Sequence, residues 1–109
     1  MLHTVAARYG KVNRMATVLW YLSDVQSGGE TVFPQAGGKP PPRSMAACDQ
    51  GLKVAPKKGK VIMFYSLTPD GRGDKFSLHG ACPVVGTDPK WAANKWVWSA
   101  PMTKFFDTP

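Results

Sequence analysis

From Val61 to Tyr65 the chain reads Val-Ile-Met-Phe-Tyr, five apolar or aromatic residues without a break, inside the segment Lys60 to Leu67. Gly59 precedes this segment and the turn Thr68-Pro69-Asp70-Gly71 closes it. The run is too short for an ordinary helix and rich in β-formers. Consecutive apolar positions predict a strand covered on both faces. Such a strand needs neighbours, and the clearest one is upstream. Between Arg14 and Leu22, Met15, Thr17, Leu19 and Tyr21 fall on one side, and Ala16, Val18, Trp20 and Leu22 on the other. Both sides are again largely apolar, so this too reads as a strand covered on both faces until Ser23-Asp24 ends it.

The remaining segments are short strands set off by turn residues. Ser27-Gly28-Gly29 turns into Glu30-Thr31-Val32-Phe33, which Pro34 stops; Leu52-Lys53-Val54 is a brief strand. Phe76 to Ala81 is expected as a strand carrying His79, ended by Cys82-Pro83. Gly86-Thr87-Asp88-Pro89 is a turn, and Lys95-Trp96-Val97-Trp98 closes the fold. Residues 35–50 form a loop in which Pro40-Pro41-Pro42 supplies no amide donors and cannot join a ladder. We read it as an exposed spacer in preference to a substrate mimic. No helical period is present, and short strands between Gly and Pro turns indicate an all-β sandwich or barrel.

At 109 residues the chain makes one domain at most. No apolar run reaches the roughly 18 residues that a membrane-spanning helix needs. Met1 to Arg8 is too short and too polar for a signal peptide, so a targeting segment is expected only outside this sequence. The net charge of +7 favours acidic partners, but the basic residues are scattered. Lys57, Lys58 and Lys60 flank Gly59 and read as a solvated turn. With no recognition helix and no stacking platform, nucleic acid is not an expected partner. Cys48 and Cys82 do not have a zinc-site spacing, and the sequence leaves open whether they pair.

Chemistry concentrates between Ser77 and Trp96. His79 is one of two histidines, and Lys90 follows eleven residues later between a proline and a tryptophan. A neutral imidazole is the commonest metal-ligand side chain. A lysine beyond it could clamp the far carboxylate of an organic acid bound to that metal. Two histidines and a carboxylate form the facial triad of non-haem Fe(II) oxygenases.

Ser77-Leu78-His79-Gly80-Ala81-Cys82-Pro83-Val84 with Lys90-Trp91 and Lys95-Trp96 resembles the closing strands of the prolyl 4-hydroxylase catalytic domain, a 2-oxoglutarate- and Fe(II)-dependent dioxygenase. Three more blocks match in order: Arg14 to Leu22, Gly28-Gly29-Glu30-Thr31-Val32-Phe33-Pro34, and Gly51 to Val54 with Pro56-Lys57-Lys58-Gly59. The resemblance implies a double-stranded β-helix (jelly roll), incomplete on its N-terminal side, with the family's helical layer lying before this region. It divides the chain into an atypical segment 1–13, a partial dioxygenase domain 14–99 and a tail 100–109. It implies His79 as the distal Fe(II) ligand, Lys90 as the partner of the 2-oxoglutarate C5 carboxylate, and Thr31 as its helper. Lys95 reads as a solvent-facing strand residue. The implied cofactors are Fe(II), 2-oxoglutarate and ascorbate; the implied substrate is a proline-rich peptide hydroxylated on proline with O2; the implied location is the endoplasmic reticulum.

One departure stands out. The family's other two ligands come from a His-x-Asp motif upstream of the Arg14 block, and no His-x-Asp occurs here. His3 is followed by Thr4 and Val5, so His3 is a ligand candidate only if the N-terminal segment folds back into the barrel mouth. The expectation is a fragment or altered product of a longer hydroxylase, inactive as it stands. The alternative is a catalytically silent jelly-roll module that binds peptide or partner chains. The His79-to-Lys90 spacing, about one residue longer than the family's, is absorbed in Thr87-Asp88-Pro89.

Overall fold

The strand Arg14–Tyr21 (β1) is hydrogen-bonded along both edges, which places it at the centre of the larger of two sheets. The computed structural model describes residues 14–44 and 47–99. The other strands are Thr31–Phe33 (β2), Leu52–Val54 (β3), Val61–Tyr65 (β4), Gly80–Ala81 (β5) and Ala92–Trp98 (β6). One sheet runs β4-β1-β6 and the other β3-β2-β5, every pairing antiparallel. Single-turn 3-10 segments lie at Ala36–Gly38 and Lys75–Ser77; there is no α-helix among the described residues, and none long and apolar enough to cross a membrane. Two antiparallel sheets built this way are compatible with the expected jelly roll. The segments 1–13 and 100–109, and with them His3, lie outside the described residues.

Register decides which side chains meet. Thr17 stands opposite Phe64 on one side and Trp96 on the other, and Leu19 opposite Ile62 and Asn94. Because side chains alternate along a strand, these residues share the face turned toward the second sheet. That sheet contributes Thr31, Val32 and Phe33, all buried. The Phe33 and Phe64 rings meet edge to face with centroids 5.0 Å apart, an arrangement their quadrupoles favour.

The expectation that β1 and β4 are covered on both faces is corrected. Val61, Met63 and Tyr65 are 50%, 58% and 56% exposed, while Ile62 and Phe64 between them are half-buried. Trp20 and Leu22 are also exposed. The second sheet covers the Ile62–Phe64 side; on the opposite side Ala16 is buried, but Trp20 of β1 and Val61, Met63 and Tyr65 of β4 are exposed. A second correction concerns His79. Strand β5 holds only Gly80 and Ala81, so His79 sits just before it. The Asp74 carboxylate accepts the Phe76 amide at 2.9 Å, and the Ser77 hydroxyl donates to the Asp74 carbonyl at 2.9 Å. This local capping draws residues 75–77 into a 3-10 turn and out of the ladder. In the other direction, β6 begins at Ala92, ahead of the expected Lys95, because pairing with Tyr21, Trp20 and Leu19 overrides the weak strand propensity of Ala-Ala-Asn.

The question left open by the cysteines is answered: Cys48 and Cys82 form a disulfide with their Cα atoms 6.0 Å apart at a sequence separation of 34. It ties the loop before β3 to the residue after β5, bracing the small sheet across both of its edge strands. A bridge over a loop of this length is worth about 3–4 kcal/mol on the chain-entropy account. Reduction, or a Cys48→Ala/Cys82→Ala pair, is therefore expected to lower the urea unfolding free energy by about 3 kcal/mol. An unchanged urea midpoint would show the small sheet to be held by packing alone.

Candidate functional site

Between the two sheets lies a cavity of about 550 Å³. Its walls include alternate residues of β1, Thr17, Leu19 and Tyr21, and the facing residues of β6, Ala92, Asn94 and Trp96. Tyr21 ends β1 almost wholly buried, at 1% exposure, and its hydroxyl lies 2.5 Å from the Thr31 hydroxyl of the other sheet. Both residues are buried, and each hydroxyl has the other as partner. One hydroxyl of such a pair donates and the other keeps a proton to offer. A carboxylate placed beside them can accept it.

Lys90 reaches the same cavity from the connection between β5 and β6. That connection is pinned to the end of β1 by several bonds. The Leu22 amide donates to the Trp91 carbonyl at 2.8 Å, and the Trp91 amide donates to the Ser23 hydroxyl at 2.9 Å. The Ser23 hydroxyl in turn donates to the Pro89 carbonyl at 3.1 Å, and the Gln26 amide to the Asp88 carboxylate at 2.9 Å. On the other side the Gly28-Gly29 turn packs against Pro83 to Val85. A Cβ on Gly28, whose φ is +76°, would stand 2.2 Å from the Pro83 carbonyl oxygen. Only glycine permits this approach. The Thr87-Asp88-Pro89 stretch is thus anchored at both Asp88 and Pro89.

Burial pulls the pKa of the Lys90 ammonium below the ordinary lysine value, and the nearby Glu30 carboxylate partly offsets this. Lys90 is half-buried and forms no ion pair with Glu30. A partly desolvated ammonium of this kind is stabilised by an incoming anion.

His79 lies at the edge of the cavity, exposed. Its Nδ1 is 2.9 Å from the Ser77 carbonyl oxygen, so Nδ1–H donates there and Nε2 is the ring nitrogen outside that bond. Phe64 meets the ring edge to face at 4.7 Å and Phe33 lies 5.6 Å away. The imidazole is therefore oriented by one hydrogen bond and two rings, as an outer layer of contacts orients metal-binding histidines.

Three residues singled out in the sequence, Thr31, His79 and Lys90, line this one cavity. Tyr21 was not singled out. Its signal was its place on the Thr17–Leu19 side of β1, which only the register with β6 identifies as the cavity wall. Lys95 stands on the opposite side of β6 from Asn94 and Trp96 and is exposed, as expected. Among the described residues, no three His, Cys, Asp or Glu side chains are grouped to hold a metal ion. The described donors therefore fit a carboxylate at Lys90, Thr31 and Tyr21, and do not by themselves fit an Fe(II) centre.

A family model described as "2OG-Fe(II) oxygenase superfamily" matches residues 3–98. "Probable prolyl 4-hydroxylase 10" of Arabidopsis thaliana is 48% identical over 89 residues, which cover 77% of this chain and 30% of that protein. "Prolyl 4-hydroxylase 5" from the same plant is 49% identical over 88 residues, 76% of this chain and 30% of the relative. The chain thus spans about 30% of the length of these curated relatives.

The lowered pKa of Lys90 sets a pH dependence. Only the ammonium form attracts a carboxylate, so affinity is full below the free-state pKa of Lys90 and is lost as pH rises through it. The midpoint of a dicarboxylate titration series is expected to lie below the ordinary lysine value of about 10.4. A midpoint at or above that value would place the binding cation elsewhere, on an exposed lysine.

Proposed function

We propose that this chain, which belongs to the 2OG-Fe(II) oxygenase superfamily, supplies the cosubstrate clamp and one metal ligand of a prolyl 4-hydroxylase-like catalytic domain. The observation that carries this reading is the meeting of Lys90, Thr31 and His79 in one cavity, on a chain similar over most of its length to prolyl 4-hydroxylases. The whole domain would use 2-oxoglutarate, O2 and Fe(II) to hydroxylate proline in a proline-rich peptide. The two sheets would then be part of a jelly roll.

In this reading Lys90 pairs with the C5 carboxylate of 2-oxoglutarate, and the Tyr21–Thr31 hydroxyl pair donates to the same group. The anchored turn at Asp88-Pro89 holds the ammonium at a fixed depth, which is the chain's contribution to orientation. His79 offers Nε2 as a ligand. When bound, Fe(II) in such an enzyme activates O2 at the expense of 2-oxoglutarate, and ascorbate would restore oxidised metal. The described residues provide too few ligands to derive a step through iron. The Cys48–Cys82 bridge supports an oxidising compartment, and the reading is the endoplasmic reticulum.

A second reading, a catalytically silent module that binds peptide, is favoured by one specific observation: among the described residues no carboxylate lines the cavity. Two measurements separate them. Succinate release with Fe(II), 2-oxoglutarate, ascorbate and a proline-rich peptide is expected to be absent for the 109-residue chain. A chimera in which residues 14–98 replace the matching region of the Arabidopsis prolyl 4-hydroxylase 5 is expected to release succinate and form hydroxyproline. Its Lys90→Ala variant should lose at least about tenfold in 2-oxoglutarate affinity, the loss of one charge-assisted contact. A folded but inert chimera would favour the silent module.

A further inference from the structure

Strand β4 has an open edge of a kind that the other edge strands lack. It pairs with β1 on one side, and no described strand pairs on the other. The Lys60 carbonyl accepts the Tyr21 amide, and the Ser66 amide donates to the Met15 carbonyl. Backbone direction alternates along a strand, so Ile62 and Phe64 also bond toward β1, while Val61, Met63 and Tyr65 turn their N–H and C=O groups outward. The side chains of the same three residues are exposed on the far face of the sheet. Natural edge strands are blunted by a charge, a proline or a bulge. Residues 61–65 include neither a charge nor a proline, and their register with β1 runs without a shift. By contrast, Lys53 is the middle residue of β3, Lys95 is the middle residue of β6, and β5 is only 2 residues long. An apolar groove of about 310 Å³ lies beside β4, lined by Ile62, Met63 and Phe64 together with Leu52 and Val54 of β3 and Phe76.

We propose that β4 is a self-association edge whose partner is a second copy of this chain, paired antiparallel about Met63. The strand is its own complement. A two-fold axis at Met63 sets Met63 opposite its own copy and Val61 opposite Tyr65 of the second copy. Each of these pairs brings outward-facing groups from both chains, so each exchanges both backbone bonds. On the far face the pairing sets an aromatic side chain against a β-branched one, a favourable cross-strand pair. On the inner face Ile62 meets Phe64 of the second copy beside the apolar groove. The same operation on β3 or β6 sets Lys53 or Lys95 against its own copy, and like charges directly opposite destabilise a pair. Lys57, Lys58 and Lys60 all precede β4, so antiparallel pairing keeps the two lysine turns at opposite ends of the interface. Each then lies beside the Thr68-to-Arg72 turn of the other copy, where Asp70 and Arg72 offset one another. The pairing occupies the β4 edge in both copies, so the assembly closes at a dimer. Lys90, Thr31 and Tyr21 take no part in it, and the proposal stands apart from the cosubstrate reading.

The test is sedimentation velocity of the 109-residue chain over a concentration series reaching about 100 μM. The expected result is a reversible monomer–dimer transition with nothing larger. Met63→Lys puts two ammonium groups together at the axis and should weaken dimerisation at least about tenfold. Val97→Lys, a like change at an exposed position of β6, should alter it less than about twofold. A second readout does not depend on the lysine variant folding. Cα atoms of a hydrogen-bonded antiparallel pair lie about 5.5 Å apart, within disulfide reach, so Met63→Cys should cross-link to its copy on mild oxidation and Lys95→Cys should not. A chain that stays monomeric throughout the series would overturn the proposal, as would open-ended growth beyond the dimer. Equal weakening by Met63→Lys and Val97→Lys would place the contact on the sheet face and contradict edge pairing. If Met63→Lys is misfolded by circular dichroism, failure of Met63→Cys to cross-link decides against it.

Discussion

The Tyr21–Thr31 hydroxyl pair is the point on which the site depends. It joins the last residue of β1, at the centre of the large sheet, to the first residue of β2, at the centre of the small one. Both residues are buried, so the bond cannot be exchanged for water without exposing the interior. It fixes the spacing of the sheets at the cavity wall and leaves a proton donor facing the space that Lys90 also enters. Structure and binding therefore share one contact. A Thr31→Val change alters the two together, and Lys90→Met alters only one.

The remaining organisation follows from that frame. The small sheet is short, with strands of three, three and two residues, and it is braced by the disulfide from outside its hydrogen bonds. The large sheet carries longer strands and presents its far face, with Trp20, Val61, Met63 and Tyr65, to solvent. Those side chains are the physical reason that a sequence reading overestimates burial here. Apolar residues at consecutive positions record that both faces suit a dry environment, but not which element supplies it.

Much of the fold was legible because strand patterns and turn residues are local signals. Leu52–Val54 and the break at Pro34 lie where the side-chain chemistry puts them. His79 was misplaced onto a strand because Asp74 and Ser77 act through backbone capping, which competes with a ladder and leaves no hydrophobic signature. The early start of β6 was hidden for the opposite reason: Ala92 and Ala93 are held by pairing across to β1, a long-range effect. In the site, Lys90, Thr31 and His79 were legible through their resemblance to a known pattern. Tyr21 was not, since a tyrosine at a strand end reads as core until its hydroxyl is seen against Thr31. The disulfide required three dimensions, because two cysteines 34 residues apart carry no pairing rule.

On the proposed reading, one cavity lined by Tyr21 and Thr31 and charged by Lys90 receives a carboxylate. The most direct measurement is an amide chemical-shift map of the uniformly labelled chain during titration with 2-oxoglutarate in EDTA. The account requires Thr31, Lys90 and the β6 residues Ala92 to Asn94 to shift together along one saturable curve. Shifts confined to the exposed Lys57, Lys58 and Lys60 turn, growing linearly with ligand and vanishing with added salt, would contradict it.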